Sequence, residues 1–395
     1  MLFELIDSKL NCNSAYSGGN IVDYFSLENP THTWDYSPTF GSKQMELACL
    51  YAGTKNIEDA CSYDTRERYN ALRSKLRAYM KSFITAQVSL DENCFFDLVP
   101  VSFIHELFSA RSAMMKQIFE TYKRPENYDF LYNLNKMIYE IAEKDVKINM
   151  KNLPVIGEIR NASKMKKKVK YNMFGTITGR LSAEQDSFPI LTMNKNLRSI
   201  VEPTNDFLLE LDFNAFEPRI LLALNGKKQP AVDLHEWNKD NVFIGTNRDG
   251  AKKKFLAWMY DERGTTTLPP QQDKKVRTFY DKSVVRNKYY DGGTVKNYYG
   301  REIKADNEHA INYILQSTAS DCFLRQAIKI NNILKGKKSF IKFLVHDSIV
   351  IDVSSEDKQL VKEICNTFSN TDFGRFITTK KIGKNYGEMK ILWMY

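Results

Sequence analysis

The stretch DFLLELDFNAFEPRILLALNG, residues 206–226, decides the fold. Phe207 to Leu211 is a short apolar run behind the turn-forming Pro203, Thr204, Asn205 and Asp206, and reads as a buried strand. It delivers Asp212 at its end. Glu217 follows, with Pro218 suited to the first position of a helix that continues through Arg219 and the apolar run Ile220 to Leu224. A carboxylate at the mouth of a buried strand is costly unless something cationic offsets its desolvation.

A second acid stands far downstream, in FIKFLVHDSIVIDV, residues 340–353. Ile341, Phe343 and Val345 alternate with Lys342 and Leu344, His346-Asp347-Ser348 interrupts, and Ile349, Ile351 and Val353 alternate again. The pattern predicts a hairpin with Asp347 at its tip. Two strand-end acids facing each other across a sheet could hold a pair of divalent ions, as in-line attack on a phosphate requires. Taken singly, each acid reads more readily as a turn aspartate.

The rest of the chain bears on that choice. At 395 residues it has length for two or three lobes. Its net charge of +9, with lysine clusters at 164–170, 252–254 and 335–338, suits a polyanionic partner. Six scattered cysteines without a CxxC pair (Cys12, Cys49, Cys61, Cys94, Cys322, Cys365) read as reduced thiols in an intracellular protein. No signal pattern and no run of membrane-spanning length is present, so a cytoplasmic location without a membrane partner is expected.

Residues 1–60 mix turn signals with short apolar stretches, which suggests a small irregular region, and no acid pattern there reads as a nuclease. Amphipathic helices are expected near 65–88, 101–122 and 128–143, their apolar stripes serving as core. GTITGRLS, residues 175–182, is a turn able to bring backbone and guanidinium close to a sugar–phosphate chain, or an ordinary loop. A helix over 248–260 places Arg248, Lys252, Leu256 and Tyr260 on one face. Two cations and an aromatic suit a triphosphate and a base; a solvated face has the same pattern. Residues 261–300 look loop-rich. A long helix over 307–335 carries Asn312 and Gln316 beside its apolar stripe, amides that could read minor-groove acceptors or sit on plain surface.

In this order, the segments resemble the polymerase region of family A DNA polymerases over roughly residues 128–395. TITGRLS resembles that family's TGRLS segment, DFNAFEPRILLAL its motif A, and the Arg248-Lys252-Tyr260 helix its motif B. Tyr299-Gly300-Arg301 with Asn312, Gln316 and Thr318-Ala319-Ser320-Asp321 resembles the segment between, LVHDSIV motif C, and GKNYGEM the closing segment. The resemblance implies an α+β right hand. Its antiparallel palm sheet would come from 171–225 and 311–395 and its helical fingers from 226–310. A reduced thumb-like segment at 126–170 and a mostly helical N-terminal region at 1–125, of unclear role, would complete it.

Carried over by position, the resemblance makes Asp212 and Asp347 ligands of two Mg²⁺ ions, replaceable by Mn²⁺, with the Phe213 carbonyl as a further ligand. His235, Arg248 and Lys252 would clamp a dNTP, Lys252 being the proton donor to the leaving group. Leu256 and Tyr260 would belong to the dNTP site, Tyr260 stacking near the templating base, and Glu217 would crowd a ribose 2′-hydroxyl. Thr178, Arg180, Asn312, Gln316 and His346 would meet the primer–template minor groove and primer end, and Arg301 would help hold the duplex. Leu256 stands where the family has an aromatic, and Ser348 where it has Glu. His-Asp-Ser also occurs in single-subunit RNA polymerases, but Glu217 and the TGRLS segment favour DNA synthesis.

Only about twenty residues separate Pro154 from Gly175, where the family has a two-helix thumb. The thumb is therefore vestigial or replaced by helices within 65–143, and a reduced grip implies low processivity and steep salt sensitivity. A proofreading exonuclease is not visible and is either a separate partner or absent, and a processivity factor would be a further partner. Such a compact chain fits a phage or mobile element. An RNA polymerase-like enzyme and a non-catalytic DNA-binding pseudo-polymerase are the alternatives.

Overall fold

The computed structural model of the protein describes residues 2–7, 14–40, 44–90, 92–152, 165–261 and 264–392. Pro154, Cys12 and the first lysine of the 164–170 cluster lie outside the described residues, as do residues 153–164 of the expected thumb-like segment. The chain forms two units, Met1–Lys136 and Met137–Tyr395.

In the first unit, β1 (Glu4–Asp7), β2 (Ser14–Ser17) and β3 (Asn20–Asp23) make an antiparallel sheet, more regular than the turn-rich sequence suggests. The expected helices form as α1 (Tyr63–Thr85), α2 (Val101–Thr121) and α3 (Tyr128–Ala142), the last carrying the chain into the second unit. On α2 the apolar stripe, formed by Phe103, Leu107, Ala110, Met114 and Ile118, is buried. Arg111 stacks on Trp34 at 4.4 Å and pairs with buried Glu4 at 2.6 Å. Burial pushes the Glu4 carboxyl up to about 7 against that cation. The reduced-thiol reading needs one correction: Cys94 is disulfide-bonded, while Cys49, Cys61, Cys322 and Cys365 are free.

The second unit is built on one strand. The 206–226 stretch folds as β4 (Phe207–Phe213) and α4 (Phe216–Leu224). The helix starts two residues before Pro218, which the first turn tolerates because its amide hydrogens have no intrahelical partner. Downstream come α5 (Leu234–Asn241) and α6 (Arg248–Tyr260). Then α7 (Pro270–Phe279), α8 (Lys282–Tyr289) and the hairpin β5 (Thr294–Lys296)–β6 (Glu302–Lys304) occupy the stretch expected to be loop. Each of these two helices buries one valine, Val276 or Val285, so neither leaves a helical stripe in the sequence.

Next follow α9 (Ala310–Ile333), β7 (Phe340–Val345), β8 (Ser348–Val353), α10 (Val361–Ser369), β9 (Thr378–Gly383) and β10 (Lys390–Ile391). The sheet is five-stranded and antiparallel throughout, in the order β7-β8-β4-β9-β10. Its register sets Asp212 opposite Ser348 on one side and Thr379 on the other. Behind it, Phe213 stacks on Phe216 and Phe368, ring centroids 4.2 Å apart in both pairs.

The hairpin departs from strict alternation at one residue. The β7–β8 register shifts between Ile341 and Phe343, and the extra residue, Lys342, turns inward, only 2% exposed. Its Nζ donates to Asp352 Oδ2 at 2.9 Å, and Asp352 also accepts the amides of Thr204 (2.6 Å) and Asn205 (2.9 Å). The pair thereby ties the turn before β4 to the hairpin. Lys342→Met is expected to cost about 3 kcal/mol in urea unfolding at pH 7, because it strands a buried carboxylate. A cost below about 1 kcal/mol would show that the Thr204 and Asn205 amides suffice. At the sheet edge, the buried Tyr171 hydroxyl donates to Leu344 O at 2.7 Å and accepts from Leu344 N at 2.8 Å. Both backbone groups of that edge residue are thus satisfied.

Candidate functional site

Asp212 lies near the end of β4. Asp347 lies in the two-residue turn joining β7 to β8, next to the residue paired with Asp212. The turn is tight: the Ser348 hydroxyl donates to Val345 O at 3.0 Å, and His346 takes φ +52°, a left-handed conformation rare for a non-glycine residue. His346→Gly is therefore expected to raise unfolding stability by about 1 kcal/mol, read from the urea midpoint. No gain would mean the histidine ring makes compensating contacts.

Both acids are half-buried, and neither carboxylate has a hydrogen-bond or ion-pair partner among the described residues. Burial, then repulsion from Glu210 and Asp347, pushes Asp212 up to about 6 against the pull of Lys381. Asp347 is also raised, by burial, with Arg180 and His346 opposing. Glu210 is itself engaged, by Lys381 Nζ at 2.7 Å. Two crowded carboxylates are a donor set that hard divalent cations fit: all-oxygen and anionic, with no cation among the described residues bonded to it. Among the described residues no third His, Cys, Asp or Glu joins them.

Glu217 stands on the first turn of α4, 7% exposed. It accepts hydrogen bonds from Arg180 and from the Tyr260 hydroxyl, so the GTITGRLS turn, α4 and the end of α6 converge on one carboxylate. Burial raises the Glu217 carboxyl and Asp347 adds to the effect, while Tyr260 and Arg180 oppose it. On α6, Lys252 is exposed and Leu256 half-buried. Phe255 is buried against Tyr280, centroids 4.6 Å apart, and serves as core. His235 is buried, its Nδ1 without a hydrogen-bond partner. Burial pushes it down to about 4, with Lys252, Arg248 and Arg219 adding to the effect against Asp233. At pH 7 it is a neutral imidazole, able to offer one N–H but no charge.

Thr178 is buried. Arg301 forms a two-point pair with Asp321, Nε to Oδ2 at 3.0 Å and Nη2 to Oδ1 at 2.6 Å. Its guanidinium packs on Gly179 (φ +78°), where an added Cβ would come within 2.6 Å of Cζ, so only glycine fits there. Asn312 and Gln316 are half-buried, one turn apart on α9, and Asn312 Oδ1 is a buried acceptor without a partner. His346 is exposed.

Sequence reasoning missed the residues that hold these groups in place. Arg219, fully buried, donates to Asn214 O (2.9 Å), Asn214 Oδ1 (3.1 Å), Pro230 O (3.1 Å) and Val232 O (2.8 Å). An arginine inside an apolar helical run was the available signal, since a buried guanidinium must find acceptors.

No protein-family model matches the chain. It can be superposed, over 98% of its length and 95% of the other, on the polymerase domain of Pol1 from M. smegmatis, a structure in complex with DNA primer-template and dNTP. The TM-score is 0.62 and the sequence identity 11%. The chain thus has the fold of a DNA polymerase's polymerase region, and its first unit lies within the match. In sequence it is similar to a DNA polymerase of Bacillus phage SP01, 23% identical over 289 residues. That alignment covers 55% of this chain and 31% of the phage protein, so the chain spans about a third of that relative's length.

Proposed function

We propose that the chain is a template-directed DNA polymerase that adds dNTPs to a primer 3′-hydroxyl, with Asp212 and Asp347 holding two Mg²⁺ ions. The observation that carries this reading is the pair of unpartnered, half-buried carboxylates set beside the Glu217–Tyr260–Arg180 cluster on a polymerase-like fold. Bound there, with the Phe213 carbonyl as a further ligand, the cations would neutralise the charge that builds on the attacking and departing oxygens.

The chain's own groups supply the rest. Exposed Lys252 reaches the triphosphate and gives the pyrophosphate its proton, neutral His235 adds a hydrogen-bond donor, and Arg248 adds a guanidinium. Leu256 and Tyr260 border the nucleotide. The Glu217 carboxylate, fixed from both sides, crowds a ribose 2′-hydroxyl. Arg180, Asn312, Gln316 and His346 face the primer end and minor groove, while Thr178 and the Arg301–Asp321 pair shape the loop that carries Arg180. On this reading 171–225 and 311–395 are palm and 226–310 fingers. The thumb is vestigial, or its role falls to the helices within 65–143. A phage-type replicative role fits the phage relative.

Primer extension on a primed DNA template at low salt, with dNTPs or rNTPs and Mg²⁺, tests the proposal. Extension with dNTPs in preference to rNTPs is expected, falling steeply with added salt. Preference for rNTPs would favour an RNA polymerase. Firm primer–template binding without synthesis would favour a pseudo-polymerase.

A further inference from the structure

Three parts of the site meet on a carboxylate with no part so far, that of Asp233. Its Oδ1 accepts the Glu236 amide at 2.9 Å and so caps α5, which carries His235. Its Oδ2 accepts Asn214 Nδ2 at 2.7 Å, two residues beyond Asp212. From the first residue of α6, Arg248 donates Nε to Oδ1 at 3.2 Å and Nη2 to Oδ2 at 2.8 Å. Burial alone would raise the Asp233 carboxyl. The bonds from Arg248, the Glu236 amide and Asn214 outweigh it and hold the group well below the usual carboxylate range.

The node is braced from behind. Asn214 Oδ1 accepts Leu234 N at 3.1 Å as well as Arg219 Nη2, and Arg219 grips the 230–232 backbone. Strand end, connecting loop, α5 and α6 are thus joined through Asn214, Arg219 and Asp233. The side-on pair uses Nε and Nη2 of Arg248. Among the described residues Nη1 makes only a long hydrogen bond of 3.4 Å, to exposed Asp249, which an outside acceptor can displace. A guanidinium already held in one orientation loses less freedom on meeting a phosphate than a mobile one.

We propose that Asp233 is a positioning residue for the incoming nucleotide. It holds Arg248 side-on so that Nη1 meets the triphosphate, and through Asn214 it ties that contact to the strand bearing Asp212. The assignment rests on the polymerase reading above. Because Arg248 and Asp233 together carry no net charge, the benefit is orientation. It should therefore show in nucleotide affinity and leave DNA affinity unmoved.

The test is single-turnover primer extension titrated with dNTP, for wild type, Asp233→Asn, Arg248→Ala and the double variant. Asparagine caps a helix as well as aspartate, so Asp233→Asn removes the charged grip and keeps the cap. The apparent dNTP Kd is expected to rise about tenfold, with the maximal rate within about threefold and primer–template affinity unchanged. In the Arg248→Ala background Asp233→Asn should do nothing more. Should Asp233→Asn lose cooperative melting, Arg248→Lys poses the same question. It keeps the charge without the fork, and the same rise is expected. Wild-type nucleotide affinity in Asp233→Asn or Arg248→Lys, or independent multiplicative effects in the double variant, would overturn the assignment while leaving the polymerase reading intact. A wild type that never extends a primer would remove both.

Discussion

Asp347→Ala is expected to slow primer extension by at least about a thousandfold while leaving primer–template affinity within a few-fold. Among the described residues no other acid is placed to take over. Ser348, next in the chain, spends its hydroxyl on Val345 O, and Glu210 is held by Lys381. Among the described residues no further His, Cys, Asp or Glu joins the pair.

The same variant has a signature independent of synthesis. Burial, with repulsion from Glu210 and Asp347, pushes the Asp212 carboxyl up to about 6, so the native state holds that proton more tightly than the unfolded chain does. A raised carboxyl of this kind weakens the fold above about pH 6 and relieves it as pH falls toward 4. Metal-free wild type should therefore gain stability between pH 7 and pH 5 from this pair, on the order of 1–2 kcal/mol. Mg²⁺ or Mn²⁺ should raise its melting temperature at pH 7.5. Asp347→Ala should blunt both responses. Full extension activity in the variant would remove the paired-acid site. A flat pH profile in wild type would mean that the acids are better solvated than the geometry indicates.

Glu217→Ala is expected to raise ribonucleotide incorporation relative to deoxyribonucleotide by about a hundredfold or more, as loss of a close steric and polar contact allows. Its carboxylate is fixed by two donors from different segments, Arg180 and Tyr260, so it cannot swing away from a 2′-hydroxyl without breaking both bonds. Removing it also strands the Tyr260 hydroxyl and the Arg180 guanidinium, so overall dNTP use should fall as selectivity falls. Glu217→Gln retains the bulk and an acceptor for Tyr260 and loses the ion pair, and should fall between. Competition assays with matched dNTP and rNTP read the ratio directly. Unchanged selectivity in the alanine variant would place sugar discrimination elsewhere.

The segments legible in the sequence were those whose burial leaves a period. Strand 207–213, hairpin 340–353 and helices 101–121, 248–260 and 310–333 all bury one face or both, and each falls within a few residues of its expected bounds. Helices 270–279 and 282–289 bury one valine each and read as loop. Strict alternation sets Lys342 on the face opposite Ile341 and Phe343. Lys342 turns inward because a bulge re-aims it toward Asp352, a partner ten residues away.

By itself the sequence determined the elements that bury a periodic face, their order, and that Asp212 and Asp347 stand at a strand end and a hairpin tip, because hydrophobic period and turn chemistry are local properties of the chain. Only the tertiary structure decided that Asp212 and Asp347 lie one register step apart, that Phe255 is core while Leu256 is not, and that Asp233, Asn214 and Arg219 brace the site. Those facts depend on strand register and on hydrogen bonds closed between residues distant along the chain, and pairings of that kind leave no periodic trace in sequence.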